Sequence, residues 1–471
     1  MTLLATIFAL AFFLWATVLL RVRPVLPSAA PAWLAITSFF ASIVTGYFFW
    51  HHDVGPLPLS LDRAMLALAG GVWAYGWLLG HYRVPRLDPL DWLIALWLVA
   101  IILSTALTDY RFRENVPITR LLFFNLVPVG TYFLLRFSPL ERQHYYGILG
   151  LLVLLGVYLG GTGIAEWRRW NALIYPRYIA SPAFEEFYGR GRGPLLNPVI
   201  NGMLLSLCGT ACLLLFPLTR LRYWPALLMA FGLVGLGVLS TLTRSCWIGF
   251  AASTFLVCLA PLGWKQRISA TLLAGLVSVC GLAVMSSQLN NFKRDEFVSA
   301  AEMSQSASLR PILAAVAWEM IQEHPLTGVG FGQYNKHKKP YHQVDGYDVP
   351  LQAGLPYMQH NVMLSYATEL GLLGLLLASG VWIAMAWRVF KLWTSPQPSY
   401  EQRCMALLLL TSLLNYLING LFHDVSIIAG GNLSLLVAAA LTGRFAQQLA
   451  PLPNIAPPLS MPSRGQLSLH P

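Results

Sequence analysis

Charged residues are scarce in this chain. Asp, Glu, Lys and Arg make up only 11% of its 471 residues, against about 25% in an ordinary soluble domain. Hydrophobic residues make up 56%, and the mean hydropathy is +0.59. This shortage of charge excludes a soluble enzyme and a disordered chain, because a surface this apolar cannot be kept in water. We therefore predict an integral membrane protein.

Cysteines and metal-binding patterns are also lacking. The six cysteines lie in or at the edge of apolar runs, so no disulfide framework or zinc site is expected. The polar loops contain no His, Asp and Glu at metal-ligand spacing, no Asp-x-Asp motif for a sugar nucleotide and no Gly-x-Ser-x-Gly elbow. The residues that a metal-assisted or serine-nucleophile mechanism would require are therefore not seen in the polar loops. We expect neither a metal ion nor a cofactor.

Long apolar runs, in contrast, are abundant. Thirteen runs of 17 or more mostly apolar residues predict an all-α fold, a polytopic membrane bundle of about 12–13 transmembrane helices, because about 20 such residues span a bilayer. The first run has no cleavage signal after it and is predicted to be a retained span. The runs lie near 2–20, 31–50, 64–80, 90–108, 117–135, 145–164, 195–216, 224–242, 245–263, 268–286, 361–387, 404–421 and 426–442.

Two long polar loops interrupt the apolar runs. Loops of this length in a compact bundle usually carry function. The second loop is predicted to contain an amphipathic helix with Pro311 in its first turn and Ile312, Val316 and Met320 on one face. The predicted division is transmembrane helices at 1–164, a loop at 165–194, helices with an Arg244 hairpin at 195–286, a large loop at 287–360, helices at 361–442 and a disordered tail at 443–471.

The basic residues predict the orientation. Lys and Arg recur on alternate short turns, among them Arg83, Arg136 and Arg388, and such turns are cytoplasmic by the positive-inside rule. The turns between them carry His and Asp and almost no Lys or Arg. Both long loops are therefore predicted to face the periplasm or cell exterior. The net charge of +11 follows from this topology and says nothing about an anionic substrate.

Three basic residues near the predicted outer surface are candidates for chemistry. His360 ends the large loop where the next helix begins, Arg310 lies in the loop, and Arg244 lies at the tip of a tight hairpin. Arginine is costly near hydrocarbon and is retained where its planar fork meets an anion. The alternatives are an interfacial histidine and arginines that reach for lipid headgroups. A histidine base with arginine clamps fits a displacement whose leaving group is a phosphate.

A second set of polar residues has weaker signals. Arg190 and Arg192 alternate with glycines, as in a loop that approaches a phosphate. Asn197 and Asn361 begin apolar runs and are candidates for sugar binding, although packing within the bundle is the more common role of such residues. Glu369 follows His360 by nine residues, about two and a half turns of a helix, so it would lie on the opposite face and is not predicted to orient it.

Residues 225–385 resemble a known family. His360-Asn361, followed after nine residues by Gly371-Leu-Leu-Gly374, is similar to the His-[Asn/Ser/Gln]-x9-Gly-x-x-Gly signature of bacterial O-antigen ligases. Their superfamily also contains O-antigen polymerases and protein O-oligosaccharyltransferases. Arg310 and Arg244 match the family's loop and hairpin arginines. The run from Trp318 to Gly330 resembles the superfamily's loop pattern.

The resemblance implies a metal-independent, inverting glycosyltransferase of the bacterial inner membrane with its active site facing the periplasm. Its donor would be a glycan on undecaprenyl pyrophosphate and its acceptor a sugar of lipid A-core oligosaccharide. His360 would take the proton of the acceptor hydroxyl, while Arg310 and Arg244 would stabilise the departing pyrophosphate. Membrane lipids are the other expected partners, and no nucleic acid is expected.

Two alternatives stay open. A polymerase or a protein O-oligosaccharyltransferase would use the same donor with a different acceptor. A lipid or polysaccharide transporter would use His360 and the arginines to line a path. A transporter predicts charges buried deep in several spans, whereas the central parts of most spans lack them apart from Glu369.

Overall fold

The computed structural model describes residues 29–49, 51–54, 57–112, 116–263, 265–266, 268–269, 300–344, 346–347, 350–428 and 430–448. Within these ranges the protein is a bundle of helices with a single two-stranded sheet, which confirms the predicted all-α polytopic class. The predicted span near 2–20 lies outside the described residues, as do all but residues 268–269 of the predicted span near 268–286 and most of the predicted tail.

Twelve helices longer than one turn are formed by the described residues. They are α1 (Ala30–Phe49), α2 (Leu61–Leu78), α3 (Pro89–Ala106), α4 (Pro117–Phe137, with a π-helical segment at Leu122–Leu126), α5 (Arg142–Arg168), α6 (Pro198–Leu215), α7 (Trp224–Ser240), α8 (Arg244–Leu259), α9 (Ala300–Glu323), α10 (Val362–Trp393), α11 (Tyr400–Gly420) and α12 (Gly431–Gln448). One-turn helices occupy Asn171–Leu173, Arg177–Ala180, Phe216–Leu218, Leu221–Tyr223, Tyr334–His337, Pro340–Gln343, Leu351–Gly354 and Val425–Ile427.

Eight of the described helices are long and apolar enough to cross a membrane, and each falls on a predicted span. Three other predicted spans form α2, α8 and α12, which are not among the eight. In the most apolar stretch of each helix, 83% of the residues are buried in the segment containing α6 and 72% in α11, but only 33% in α3. The central helices of the bundle are therefore α6 and α11, and α8 packs against both.

A β-hairpin that the sequence analysis did not predict joins α1 to α2. His51–Val54 (β1) pairs antiparallel with Leu57–Ser60 (β2), with His51 opposite Ser60. The segment is too short and too polar to span a bilayer, so its backbone groups pair locally between two helices.

Helix α9 begins earlier than predicted. The sequence predicts Pro311 in its first turn, but Pro311 lies inside a helix that spans Ala300–Glu323. The predicted apolar face is confirmed, because Ile312, Val316 and Met320 are all buried. They form a small cluster with Tyr334 and residues of the same loop, so the loop has a core of its own beside the bundle.

Two arginines predicted to lie in short cytoplasmic turns are instead buried inside helices. Arg136 in α4 and Arg388 in α10 meet two carboxylates at the start of α3. Arg136 lies 3.2 Å from Asp91, and Arg388 lies 2.6 Å from Asp88. The buried arginines are retained because each has a carboxylate partner, and the pairs join three helices.

Candidate functional site

His360 lies at the junction of the large loop and α10. Its backbone is in the left-handed region (φ +48°), and Asn361 follows as the N-cap of the helix. The Asn361 side-chain oxygen accepts hydrogen bonds from the backbone N–H groups of Met363 (2.8 Å) and Leu364 (3.0 Å). The cap satisfies two of the N–H groups that a helix start leaves without partners. His360 is thereby held outside the helix and is exposed.

Helix α10 is broken at the first glycine of the signature motif. Gly371 has φ +68°, a conformation that favours glycine, and a Cβ atom there would overlap the carbonyl group of Leu326. The N–H of Leu372 donates to the carbonyl oxygen of Pro325 (2.8 Å), and that of Leu373 donates to Leu326 (3.3 Å). A segment of the large loop therefore pairs with the backbone groups that the break releases.

The glycine-rich part of the loop continues this pairing. The N–H of Val329 donates to the carbonyl oxygen of Thr368 (2.9 Å), and that of Gly330 donates to Glu369 (2.9 Å). A Cβ atom on Gly328 would approach the backbone of residues 368–371 to about 2.5 Å, so only glycine allows this contact. We call residues 325–332 the docking loop.

The turn after α11 brings the loop arginine and the histidine to one place. The Asn361 amide donates to the carbonyl oxygen of Leu421 (3.1 Å), and the Arg310 guanidinium lies 4.8 Å from the ring centre of Phe422. Asp424, two residues further on, acts electrostatically on His360. The structure thus groups His360 and Arg310 around residues 421–424.

The environment of His360 lowers its pKa. Desolvation by the surrounding protein is the largest cause, and the nearby Arg310 cation lowers the pKa further. The Asp424 carboxylate opposes both by favouring the imidazolium. A histidine with a lowered pKa is neutral near pH 7, which is the form that can accept a proton.

Asp424 was absent from the predicted site. Its Oδ1 accepts hydrogen bonds from the N–H (3.2 Å) and the hydroxyl (2.5 Å) of Ser426, and its Oδ2 is buried without a hydrogen-bond partner among the described residues. The sequence signal was a carboxylate in a turn predicted to lie on the same side of the membrane as His360.

Arg244 is the first residue of α8 and is exposed. Two residues later, the Cys246 thiol lies 3.3 Å from Oδ1 of Asn419, near the end of α11 and directly before the 421–424 turn. Arg244 therefore lies at the same end of the bundle as His360 and Arg310. All three residues predicted to be catalytic are brought to one end.

Arg190 and Arg192 are buried, in contrast to the phosphate-approaching loop that their sequence suggested. Arg190 donates to the carbonyl oxygen of Thr241 (3.0 Å) and the hydroxyl of Thr243 (2.6 Å), and so holds its loop against the hairpin that carries Arg244. Arg192 is paired with Glu166 at 3.2 Å and has only 1% of its surface exposed. Neither guanidinium faces outward, and their contact with substrate stays a prediction.

Both asparagines predicted to bind sugar act as helix caps. Asn197 accepts hydrogen bonds from the N–H groups of Val199 (2.9 Å) and Ile200 (3.2 Å) at the start of α6, as Asn361 does at the start of α10. Their side-chain oxygens are thus engaged within the protein, and a role in substrate binding stays a prediction for both.

Glu369 was judged unable to orient His360 because of its position on the helix. The structure shows that its carboxylate is buried and pairs with Arg120 of α4 at 2.9 Å, while its second oxygen accepts a hydrogen bond from the N–H of Gly332 (2.9 Å). Arg120, in the first turn of α4, is thus buried together with Glu369.

These features define a class of protein: a polytopic membrane protein with an exposed histidine, an arginine and a buried carboxylate grouped where a large loop docks onto a broken helix. A family model described as O-antigen ligase matches residues 226–379, about a third of the chain. The match confirms the resemblance and supports membership of the O-antigen ligase and polymerase superfamily, whose members are glycosyltransferase-like enzymes. A search of curated proteins finds no match to the chain.

Proposed function

We propose that this protein is an O-antigen ligase that transfers a glycan from undecaprenyl pyrophosphate to lipid A-core oligosaccharide at the periplasmic face of the inner membrane. The observation that carries the proposal is the grouping of His360 and Arg310, both within the region that matches the ligase family, around the turn at residues 421–424. The same match supports a lipid-linked glycan and a lipid acceptor in general terms.

In the proposed mechanism His360 is the general base. The acceptor hydroxyl oxygen attacks the anomeric carbon, the bond from that carbon to the pyrophosphate oxygen breaks, and the configuration inverts. The hydroxyl proton passes to neutral His360, and Asp424 stabilises the imidazolium that results. Because the donor bond is already activated, the step needs no nucleotide.

Arg310 and Arg244 are the proposed stabilisers of the leaving group. Both are exposed at the end of the bundle where His360 lies, so an anionic group can reach them. Their planar guanidinium groups can make paired hydrogen bonds to the pyrophosphate oxygens as negative charge builds there. The protein then releases undecaprenyl pyrophosphate and the extended lipid A-core.

The test is reconstitution of the purified protein with undecaprenyl-pyrophosphate glycan and lipid A-core, without added metal. Glycan attached to the core supports the ligase. Glycan that grows on its own carrier indicates a polymerase, and glycan on Ser or Thr of an added protein indicates an O-oligosaccharyltransferase. Movement of the lipid-linked glycan across the bilayer without a new bond indicates a transporter. Each of these three outcomes contradicts the ligase.

The proposed orientation has a separate test. Gly346→Cys places a thiol in the large loop, and Gln397→Cys places a matched one in the exposed turn between α10 and α11, at the opposite end of α10. In intact spheroplasts an impermeant thiol reagent is expected to label the first variant and not the second, with the native chain as background. The reverse pattern contradicts a periplasmic site.

A further inference from the structure

We propose that the buried Arg120–Glu369 ion pair is a positioning pair for His360, an inference that rests on the proposed role of His360 as base. Arg120 and Glu369 are 249 residues apart in the chain, and their side chains are 6% and 2% exposed. Arg120 lies outside the residues that match the family model. Because both side chains are buried, their effect on His360 must act through other groups.

The ion pair fixes the end of the docking loop. Glu369 accepts hydrogen bonds from the loop twice, with its side-chain Oε2 from the N–H of Gly332 and with its carbonyl oxygen from Gly330, each at 2.9 Å. The Arg120 guanidinium lies 4.9 Å from the ring centre of Phe331, the residue between them. The two charged side chains therefore hold Phe331 and Gly332 against α10, next to Gly330, which the Glu369 backbone holds.

The residue beside Glu369 continues the connection to His360. The Thr368 carbonyl oxygen accepts the N–H of Val329 (2.9 Å), and its hydroxyl accepts the side-chain amide of Gln359 (2.8 Å). Gln359 is buried and immediately precedes His360. The docking loop and the proposed base are thus anchored on two adjacent residues, Thr368 and Glu369, just before the break in α10.

Charge links the pair to the site as well. Arg120 is within electrostatic range of Asp424 as well as Glu369, and Asp424 in turn acts on His360. One buried arginine therefore faces two carboxylates. If Glu369 alone is removed, Asp424 becomes the remaining carboxylate partner of Arg120. Asp424 then stabilises the His360 imidazolium less strongly, because its charge is partly neutralised by Arg120.

A structural role alone is the competing explanation, because loss of one partner of any buried ion pair destabilises a protein. The chain offers a matched control in Arg136–Asp91, a pair at 3.2 Å whose side chains are 0% exposed. That pair lies at the opposite end of the bundle. Replacement of both residues of each pair by Met removes one cation and one anion together, so the net charge of each region is unchanged.

The experiment compares Arg120→Met/Glu369→Met with Arg136→Met/Asp91→Met in the transfer assay, with folded yield measured for each. We expect the first variant to lose kcat about 100-fold with KM for the donor within about threefold, since a small misplacement of a catalytic group costs that much. We expect the control to keep kcat within about threefold. Equal losses in both variants, or kcat within threefold of wild type in the first, would overturn the proposal.

A second measurement separates this proposal from the proposed function. Hydrogen exchange of the amides of residues 329–332, and the rate at which diethylpyrocarbonate modifies His360, are read by mass spectrometry and require no activity. We expect both to increase at least about fivefold in Arg120→Met/Glu369→Met and to be unchanged in the control. If wild type transfers no glycan, the ligase fails. If neither rate changes, the positioning pair fails whatever the activity.

Discussion

The two ends of the bundle hold their arginines in opposite ways. At one end Arg136 and Arg388 are buried against Asp88 and Asp91. At the other end, about 40 Å along α10, Arg310 is exposed beside the turn at residues 421–424. That turn accepts a hydrogen bond from Asn361, the N-cap of α10 that follows His360. A buried arginine with a carboxylate partner contributes to the assembly of helices, whereas an exposed one can meet an anion. Exposure, and not residue type, separates the two roles.

Removal of both exposed arginines should produce the largest effect. Arg244→Ala/Arg310→Ala is expected to lower kcat about 10⁴-fold, because loss of one donor to a developing oxyanion costs about 10²–10³-fold. Folding should be little affected, since both residues are exposed. The measurement is glycan transfer in the reconstituted system, with thermal unfolding as the control. Activity within tenfold of wild type would remove the distinction between the two ends.

His360→Ala should have the next largest effect. We expect a loss of about 10²–10⁴-fold in kcat, the usual contribution of a positioned general base. The measurement is the single-turnover rate of glycan transfer for His360→Ala and for the arginine double variant, which shows which substitution lowers the rate more. If the histidine variant retains wild-type transfer, another residue is the base and the site at this end must be reassigned.

Arg388→Ala tests the opposite end of the bundle. The substitution leaves Asp88, 2.6 Å away in the native protein, without its closest cation, and removal of one partner of a buried pair costs about 3–5 kcal/mol. We expect a lower unfolding temperature and unchanged kcat per folded molecule. Thermal unfolding in detergent and active-site titration check the two parts. A selective loss of kcat would show that this end also takes part in the reaction.

The smallest effects concern the pH dependence of transfer. Activity should fall as the pH drops through the pKa of His360, because the imidazolium cannot accept a proton. Asp424 raises that pKa and Arg310 lowers it. Asp424→Asn should therefore move the acidic limb of the kcat profile to lower pH, and Arg310→Gln should move it to higher pH. Shifts in the same direction would contradict the arrangement around His360.

Much of the fold was predictable because the membrane requires long apolar runs. The run predicted at 361–387 is observed as Val362–Trp393, and that at 145–164 as Arg142–Arg168. The observed helices are longer because the long Arg and Trp side chains at their ends can stay in the helix and still reach the interface. The β-hairpin at 51–60 was not predicted, because its pairing needs only a local turn between two spans.

The sequence predicted those candidate site residues whose type and position alone suggest a chemical role, but not the contacts between distant residues. Arg310 and Arg244 carry a charge where charge is costly, and His360 is an ionisable residue at a predicted membrane boundary; these signals are local in the sequence. The pairing of Arg120 with Glu369 depends on how helices 249 residues apart pack together. Arg192 seemed an open phosphate ligand between glycines, but its partner Glu166 comes from a preceding helix. No rule based on the spacing of residues in the sequence predicts that contact.

The separation of Arg120 from its partner has a consequence for biosynthesis. At about 5–20 residues per second, Arg120 leaves the ribosome roughly 10–50 s before Glu369. During that time α4 carries an uncompensated cation, which is costly within a bilayer. The helix therefore enters the membrane before its final neighbour exists, and its place is fixed only when α10 is inserted. A chain whose translation stops short of residue 369 therefore retains a cation in α4 without this carboxylate partner.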